Sequence, residues 1–392
     1  MKEEEEEAGG GKESILIYGH YDVAFAEPSN WDSDPFTLCG RDGYLYGRGV
    51  SDNKGPLLAS FFAVKNLMER GELKVDVTFV IEGEEESGLS LSERGLEEII
   101  VDHMHWFGNC RAIIISNNYW IDDQRPCLTY GMRGVIDFEL WVTGPSKDLH
   151  SGVDGGAVNE PMHDLTALIA SLTDQQGRLA VKELLVGLQP VSEEEEARYT
   201  ALQLDIDSYC KSIGVAKLRT EDRKEILKSR WSEPWISVSS IETTNRSQVF
   251  RKIPKAVVGR LSLHFVPKQE IGQLQEALRK HLHDFFRQRN STNSLSVVFL
   301  QASGWWLGNT DHNIFRQAAK AVSEVWGIEP ILVREGGSYG GVTTFLEQTL
   351  KAPAIHLPMG QASDNAHLPN ERIRILNLRK GQMIMEKLLS QF

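Results

Sequence analysis

Cysteine is scarce in this chain: four residues in 392 (Cys39, Cys110, Cys127 and Cys210), with no Cys-x-x-Cys spacing. That excludes a disulfide-stapled scaffold and a cysteine zinc finger, and it points to a reducing, cytoplasmic setting. No apolar stretch approaches the ~20 residues that span a bilayer. The opening "MKEEEEEAGGGKES" lacks the apolar core of a secretory signal. No basic stripe is present either. The net charge is -13, and without the run Glu3–Glu7 the balance stays acidic, which excludes nucleic acid and anionic membrane as partners. A phosphate-cradling loop is also missing, because "GGGKES" has neither the spacing nor a preceding strand.

What remains is an ordinary globular balance, 41% hydrophobic and 25% charged, at a length that suits two or three domains. Residues 1–14 read as a disordered acidic lead. From Ile15 to residue 131, short apolar runs ("ILIYG", "VDVTFVIEG", "RAIIIS") alternate with helical spacing such as "NKGPLLASFFAVKNLMERG". That pattern predicts an α/β domain with a mainly parallel sheet. Asp42-Gly43 marks a hairpin turn. Over 132–305 the pattern changes to strict alternation ("GVIDFELWVTG", "KAVVGRLSLHFVP") with a long amphipathic helix from Lys268, an inserted α+β unit. The α/β pattern resumes over 306–392.

In an open α/β sheet, ligands gather beyond the carboxyl ends of the strands. The residues there are Gly19-His20-Tyr21-Asp22, the cluster Glu82, Glu84, Glu85 and Glu86, Asn117-Asn118, and Ser363 to His367. Asp52 ends the hairpin just before a helix. Each alone has a plain structural reading: a surface His-x-Asp pair, a solvated acidic loop, a helix-capping aspartate. Four carboxylates packed together repel unless a cation or a solvated surface relieves them. Imidazoles and carboxylates converging from several strand ends are the ligand types of a divalent transition metal.

In order along the chain, "YGHYDV", "GRGVSDNKG", "EGEEESG", "YGMRGV", "KDLHSGVDGG", "REGGS" and "SDNAH" resemble the carnosinase/aminoacylase-type co-catalytic zinc metallopeptidases, in the cytosolic non-specific dipeptidase branch. "ISNNYWIDDQRPCLTYGMRGV" further resembles the peptidase-related subunit of the glutathione degradosome. The resemblance covers nearly the whole chain from Ile15. It implies a zinc domain, short at its N-terminal side, interrupted by a lid that forms a homodimer. It also implies two zinc ions, with manganese as the alternative. His20 would ligate the first metal, Asp52 would bridge both, and Glu86 and His367 would complete the second. Glu85 would be the general base, Asp22 would orient His20, and His150 from the lid would stabilise the oxyanion. Arg334, Gly336, Gly337 and Ser338 would receive the carboxylate of a small peptide, glutathione among the candidates.

Two positions depart from the family pattern. Asn117 stands where an aspartate ligates the first metal, and an amide offers only a neutral oxygen. His264 stands where an arginine commonly binds the substrate carboxylate, and imidazole cannot form that bidentate fork. Two expectations follow. One is an active metal-dependent hydrolase of small peptides. The other is a metal-impaired subunit that positions substrate for a glutamine-amidotransferase-like partner.

Overall fold

The computed structural model describes residues 13–86, 95–202, 204–243, 250–336 and 340–392. Most of the expected acidic lead lies outside these residues, and the first strand begins at Glu13. Ile15, Leu16, Ile17 and Tyr18 are all buried because the strand Glu13–His20 is flanked in parallel by Asp76–Glu82 and Asn109–Ile115. A continuous apolar run is what a strand covered on both faces requires. Ala354–His356 extends the sheet in parallel beyond Asn109–Ile115. Next comes Cys127–Met132, which pairs with Ile331–Glu335 and Trp306–Leu307 to complete seven strands. Segments from both ends of the chain thus share one core. The helix Lys54–Arg70 packs on the last helix, Ile375–Leu389, which packs in turn on Asn313–Trp326.

The second sheet is antiparallel, in the order Ser294–Ser303, Gly134–Thr143, Ala256–Phe265, Trp235–Thr243. Its central strands bury alternate residues, so one face is covered. The cover is the helices Pro161–Ser171 and Ile271–Gln288, the latter burying Leu274, Leu278 and Leu282 at four-residue spacing. Only Arg133 separates the end of Cys127–Met132 in the first sheet from the start of Gly134–Thr143 in the second.

The insert is less self-contained than its sequence pattern suggests. Tyr199, Leu202, Leu204, Ile226, Leu227 and Trp231 share a core with Trp120, Ile121, Cys127 and Val333 of the first unit. The charged helices Glu193–Ala201 and Arg223–Trp231 therefore pack against the α/β unit, although they lie within the inserted stretch.

The Asp42-Gly43 hairpin joins Cys39–Arg41 to Tyr44–Tyr46. Both turn residues have positive φ, 50° and 80°, as a two-residue turn between twisted strands demands. This hairpin leads into the loop that carries Asp52. No described helix is long and apolar enough to cross a membrane.

Candidate metal centre

His20 ends the first strand and is fully buried. Its Nε2 lies 3.1 Å from Asp52 Oδ1, and its Nδ1 lies 3.1 Å from the Asp22 carbonyl oxygen and 3.4 Å from Asp22 Oδ1. Asp22 also accepts the Glu86 N–H at 2.7 Å, which ties the first strand end to the acidic loop. Asp52 faces two imidazoles, since its Oδ2 lies 3.2 Å from His367 Nε2. The same His367 nitrogen is 2.9 Å from Glu86 Oε1. His367 itself holds a φ of 61°, which aims the tip of its loop back at the centre.

Two donor groups result. The ligand atoms of His20, Glu85 and Glu86 lie within 4.8 Å of one another, and so do those of Asp52, Glu86 and His367. The electrostatics follow from this crowding. Burial works against a charged His20, but the Asp52 hydrogen bond and the carboxylates of Asp52, Glu85 and Glu86 outweigh it and raise its pKa to about 9. Hydrogen bonds to Asp52 and Glu86 raise that of His367 to about 10. Burial pushes Glu85 up to about 7; His20 opposes the rise, while Glu86, Asp52 and Glu82 add to it. Asp52 is held low, because its bonds to His20 and His367 exceed the cost of its burial. Protons here occupy the place of a dication.

A pH prediction follows for the metal-free chain. His20 and His367 bind protons more tightly folded than unfolded, where the value is near 6.5. Their contribution is fully present below that value and is lost as pH rises through about 9 to 10. The Glu85 rise acts in the same direction between about 4.5 and 7. His367 is more than half exposed, so solvent screening weakens its share. The melting temperature of the chelated protein should therefore fall from pH 6 to pH 9, and metal-loaded protein should lack that fall. Equal melting of the chelated form at both pH values would contradict this picture of the site.

Asn117 is buried beside the cluster. Its amide nitrogen donates to Asp52 Oδ1 at 3.1 Å, and its oxygen accepts the Asn118 N–H at 2.6 Å. It thus turns a donor, not an oxygen ligand, toward the centre. The remaining expected site residues lie elsewhere. His150 is exposed on a two-stranded pairing with Lys252–Ile253, where its Nδ1 accepts the Gly152 N–H at 3.1 Å. No hydrogen bond or ion pair among the described residues joins it to the cluster. The Arg334 guanidinium is ion-paired to Glu195 at 2.6 Å and lies over the Tyr130 ring. His264 is half-buried in the second sheet, its pKa lowered to about 4 by burial and by the Arg133 charge. Gly336 packs so close to Arg133 that an added Cβ would stand 2.8 Å from its Nη2. Gly337 and Ser338 lie outside the described residues.

One functional group escaped the sequence reading. Glu371, fully buried, accepts the N–H groups of Gly49 and Ser51 at 3.0 Å and of Asp52 at 3.1 Å, and it pairs with Arg48 at 2.8 Å. It shapes the loop that presents Asp52. Nothing in a single sequence marks a glutamate that folds back on a loop more than three hundred residues earlier.

Strand-end imidazoles and carboxylates in contact, beside a sheet with an inserted second sheet, describe a metal-dependent hydrolase architecture. The chain belongs to Peptidase family M20/M25/M40, whose model matches residues 16–391. It is 35% identical over 98% of its length to the probable di- and tripeptidase DUG2 of Saccharomyces cerevisiae, of which it spans 42%. It is also 35% identical over 94% of its length to the Cys-Gly metallodipeptidase dug1 of Schizosaccharomyces pombe, of which it spans 78%. Among solved structures, human carnosine dipeptidase 1 superposes with a TM-score of 0.85 at 33% identity, covering 97% of this chain and 80% of that one.

Proposed function

We propose that this chain hydrolyses the peptide bond of small peptides with the aid of bound divalent metal, zinc first and manganese second. The observation that carries the reading is the pair of overlapping donor groups around Glu86, with Asp52 set between His20 and His367 and Glu85 alongside. Two imidazoles and several carboxylates within reach of one another suit such ions, and the raised pKa values of His20 and His367 mark negative charge that a dication would neutralise. When bound, the metal acidifies a water and polarises the scissile carbonyl.

The residues of the chain then have distinct tasks. Asp22 holds His20 in one orientation from the Nδ1 side. Glu371 holds the Asp52 loop. Glu85, half-buried beside both donor groups, is placed to take a proton from a nucleophilic water and return it to the leaving amine. Cys-Gly, the dipeptide in the name of the fission yeast relative, is the first substrate to test, with glutathione behind it. All three relatives named above carry peptidase names, so the reading in which the chain only positions substrate for a glutamine-amidotransferase-like partner is set aside.

All four cysteines are free thiols, which supports a reducing, cytoplasmic location. The Trp235–Thr243 edge of the second sheet exposes Val238 and Ile241, which supports pairing with a second copy of the chain; a mass measurement in solution decides it.

The decisive experiment is metal content and peptidase activity of the purified chain after zinc dialysis, beside Asn117→Asp. Zinc uptake with Cys-Gly cleavage is expected of the parent. The variant adds a carboxylate facing Asp52, so it should bind zinc roughly tenfold more tightly while losing stability when metal-free. A parent that takes up no zinc would overturn the reading.

A further inference from the structure

The arginine of "YGMRGV" has no part in the metal centre, yet it is one of three that line a cavity of about 290 Å³ on the insert side of the molecule. Arg133 and Arg230 are joined there by Arg219, with Leu218, Ile226 and Trp235 among the apolar walls. Their shared counter-charge is the buried carboxyl of Glu335, which acts on both Arg133 and Arg230 without a direct ion pair to either. Neither Arg133 nor Arg230 has a carboxylate within 4 Å among the described residues, whereas Arg219 is paired with Glu225 at 3.2 Å. Among the described residues the Arg133 guanidinium donates to the carbonyls of Ser229 and Glu233, at 3.4 and 3.3 Å, and its Nε is buried without a partner. Arg230 lies over the Tyr209 ring, and its Nη1 is likewise buried and unpartnered. The Arg219 guanidinium stands over the Trp235 ring, 5.9 Å from its centroid.

Buried guanidinium donors without acceptors are costly, and the nearby carboxyl of Glu335 does not remove the cost. Burial and the Arg230 charge lower the Arg133 pKa to about 10 despite Glu335. A planar anion satisfies such donors bidentately, and apolar walls around them favour an anion with a hydrocarbon body.

We propose that this cavity is a binding site for a small organic carboxylate, of the size of one capped amino acid. Arg133 abuts Gly336 and its charge acts on His264, but no metal-donor residue lines the cavity, so the proposal does not depend on the hydrolytic reading. Its position gives it a mechanical meaning. Arg133 is the single residue between the two sheets, and Arg230 lies on the helix Arg223–Trp231 of the insert. A carboxylate held by both would fasten that helix to the junction.

The test is calorimetric titration of the metal-loaded chain with N-acetylleucine, its neutral amide and inorganic phosphate at matched ionic strength. The acid should bind at least tenfold more tightly than the amide and than phosphate. Arg219→Gln and Arg230→Gln should each weaken it tenfold or more with metal content and activity on Cys-Gly unchanged. Arg219 is partly exposed, so its variant keeps the test intact if loss of Arg230 unfolds the chain. Equal binding of acid and amide, equal binding of phosphate, or undiminished binding in Arg219→Gln would each overturn the proposal.

Discussion

Glu85→Gln should lower kcat on a small peptide by roughly 10²–10⁴-fold while leaving the metal content unchanged. Glutamine keeps the shape and the hydrogen-bonding oxygen of the side chain but cannot accept a proton. The physical reason to expect so large an effect is the position of the group. Glu85 is half-buried at the end of an apolar strand, and burial together with its acidic neighbours holds its pKa near 7 against the pull of His20. That raised value belongs to the metal-free cluster, and it marks a carboxyl that burial readies to hold and return a proton. The alternative role is equally measurable, because the Glu85 carboxylate is also within 4.8 Å of ligand atoms on His20 and Glu86. If Glu85→Gln loses metal in step with activity, Glu85 is a ligand and the base must be sought elsewhere.

Glu371→Ala should cost about 3–5 kcal/mol of stability, since it leaves Arg48 as an uncompensated buried charge. Arg48 and Glu371 are both nearly or fully buried and paired at 2.8 Å. The substitution also strips the acceptor from three backbone N–H groups of the Gly49–Asp52 loop. Chemical denaturation should show the loss in both metal-free and metal-loaded protein, and zinc affinity should fall with it, because Asp52 no longer arrives pre-positioned. A variant as stable as the parent would mean that the loop is held by other contacts.

The legible part of this molecule was the part written in local pattern. The rule that ligands gather at strand ends points to the segments that hold His20, Glu86 and His367, and the family resemblance names those residues and Asp52. Parallel-strand burial of Ile15–Tyr18 and the alternation of Gly134–Thr143 were equally direct. What could not be read depended on distant chain folding onto itself. Glu371 is an unremarkable acid until its loop meets Arg48. The helices over 193–231 are charged and lie within the inserted stretch, yet Tyr199, Leu227 and Trp231 point into a core shared with Trp120 and Val333. Arg334 reads as a ligand-facing cation and instead meets Glu195, a partner contributed by those helices.

The metal centre is also divided in time. His20, Asp52, Glu85 and Glu86 precede the insert, but His367 and the clamp Glu371 follow it. A nascent chain emerging N-terminal end first presents four carboxylate and imidazole donors long before the final imidazole and the clamp of the Asp52 loop exist. The donor cluster therefore closes only after the insert has been made, and a chain interrupted anywhere in the insert lacks both His367 and the clamp.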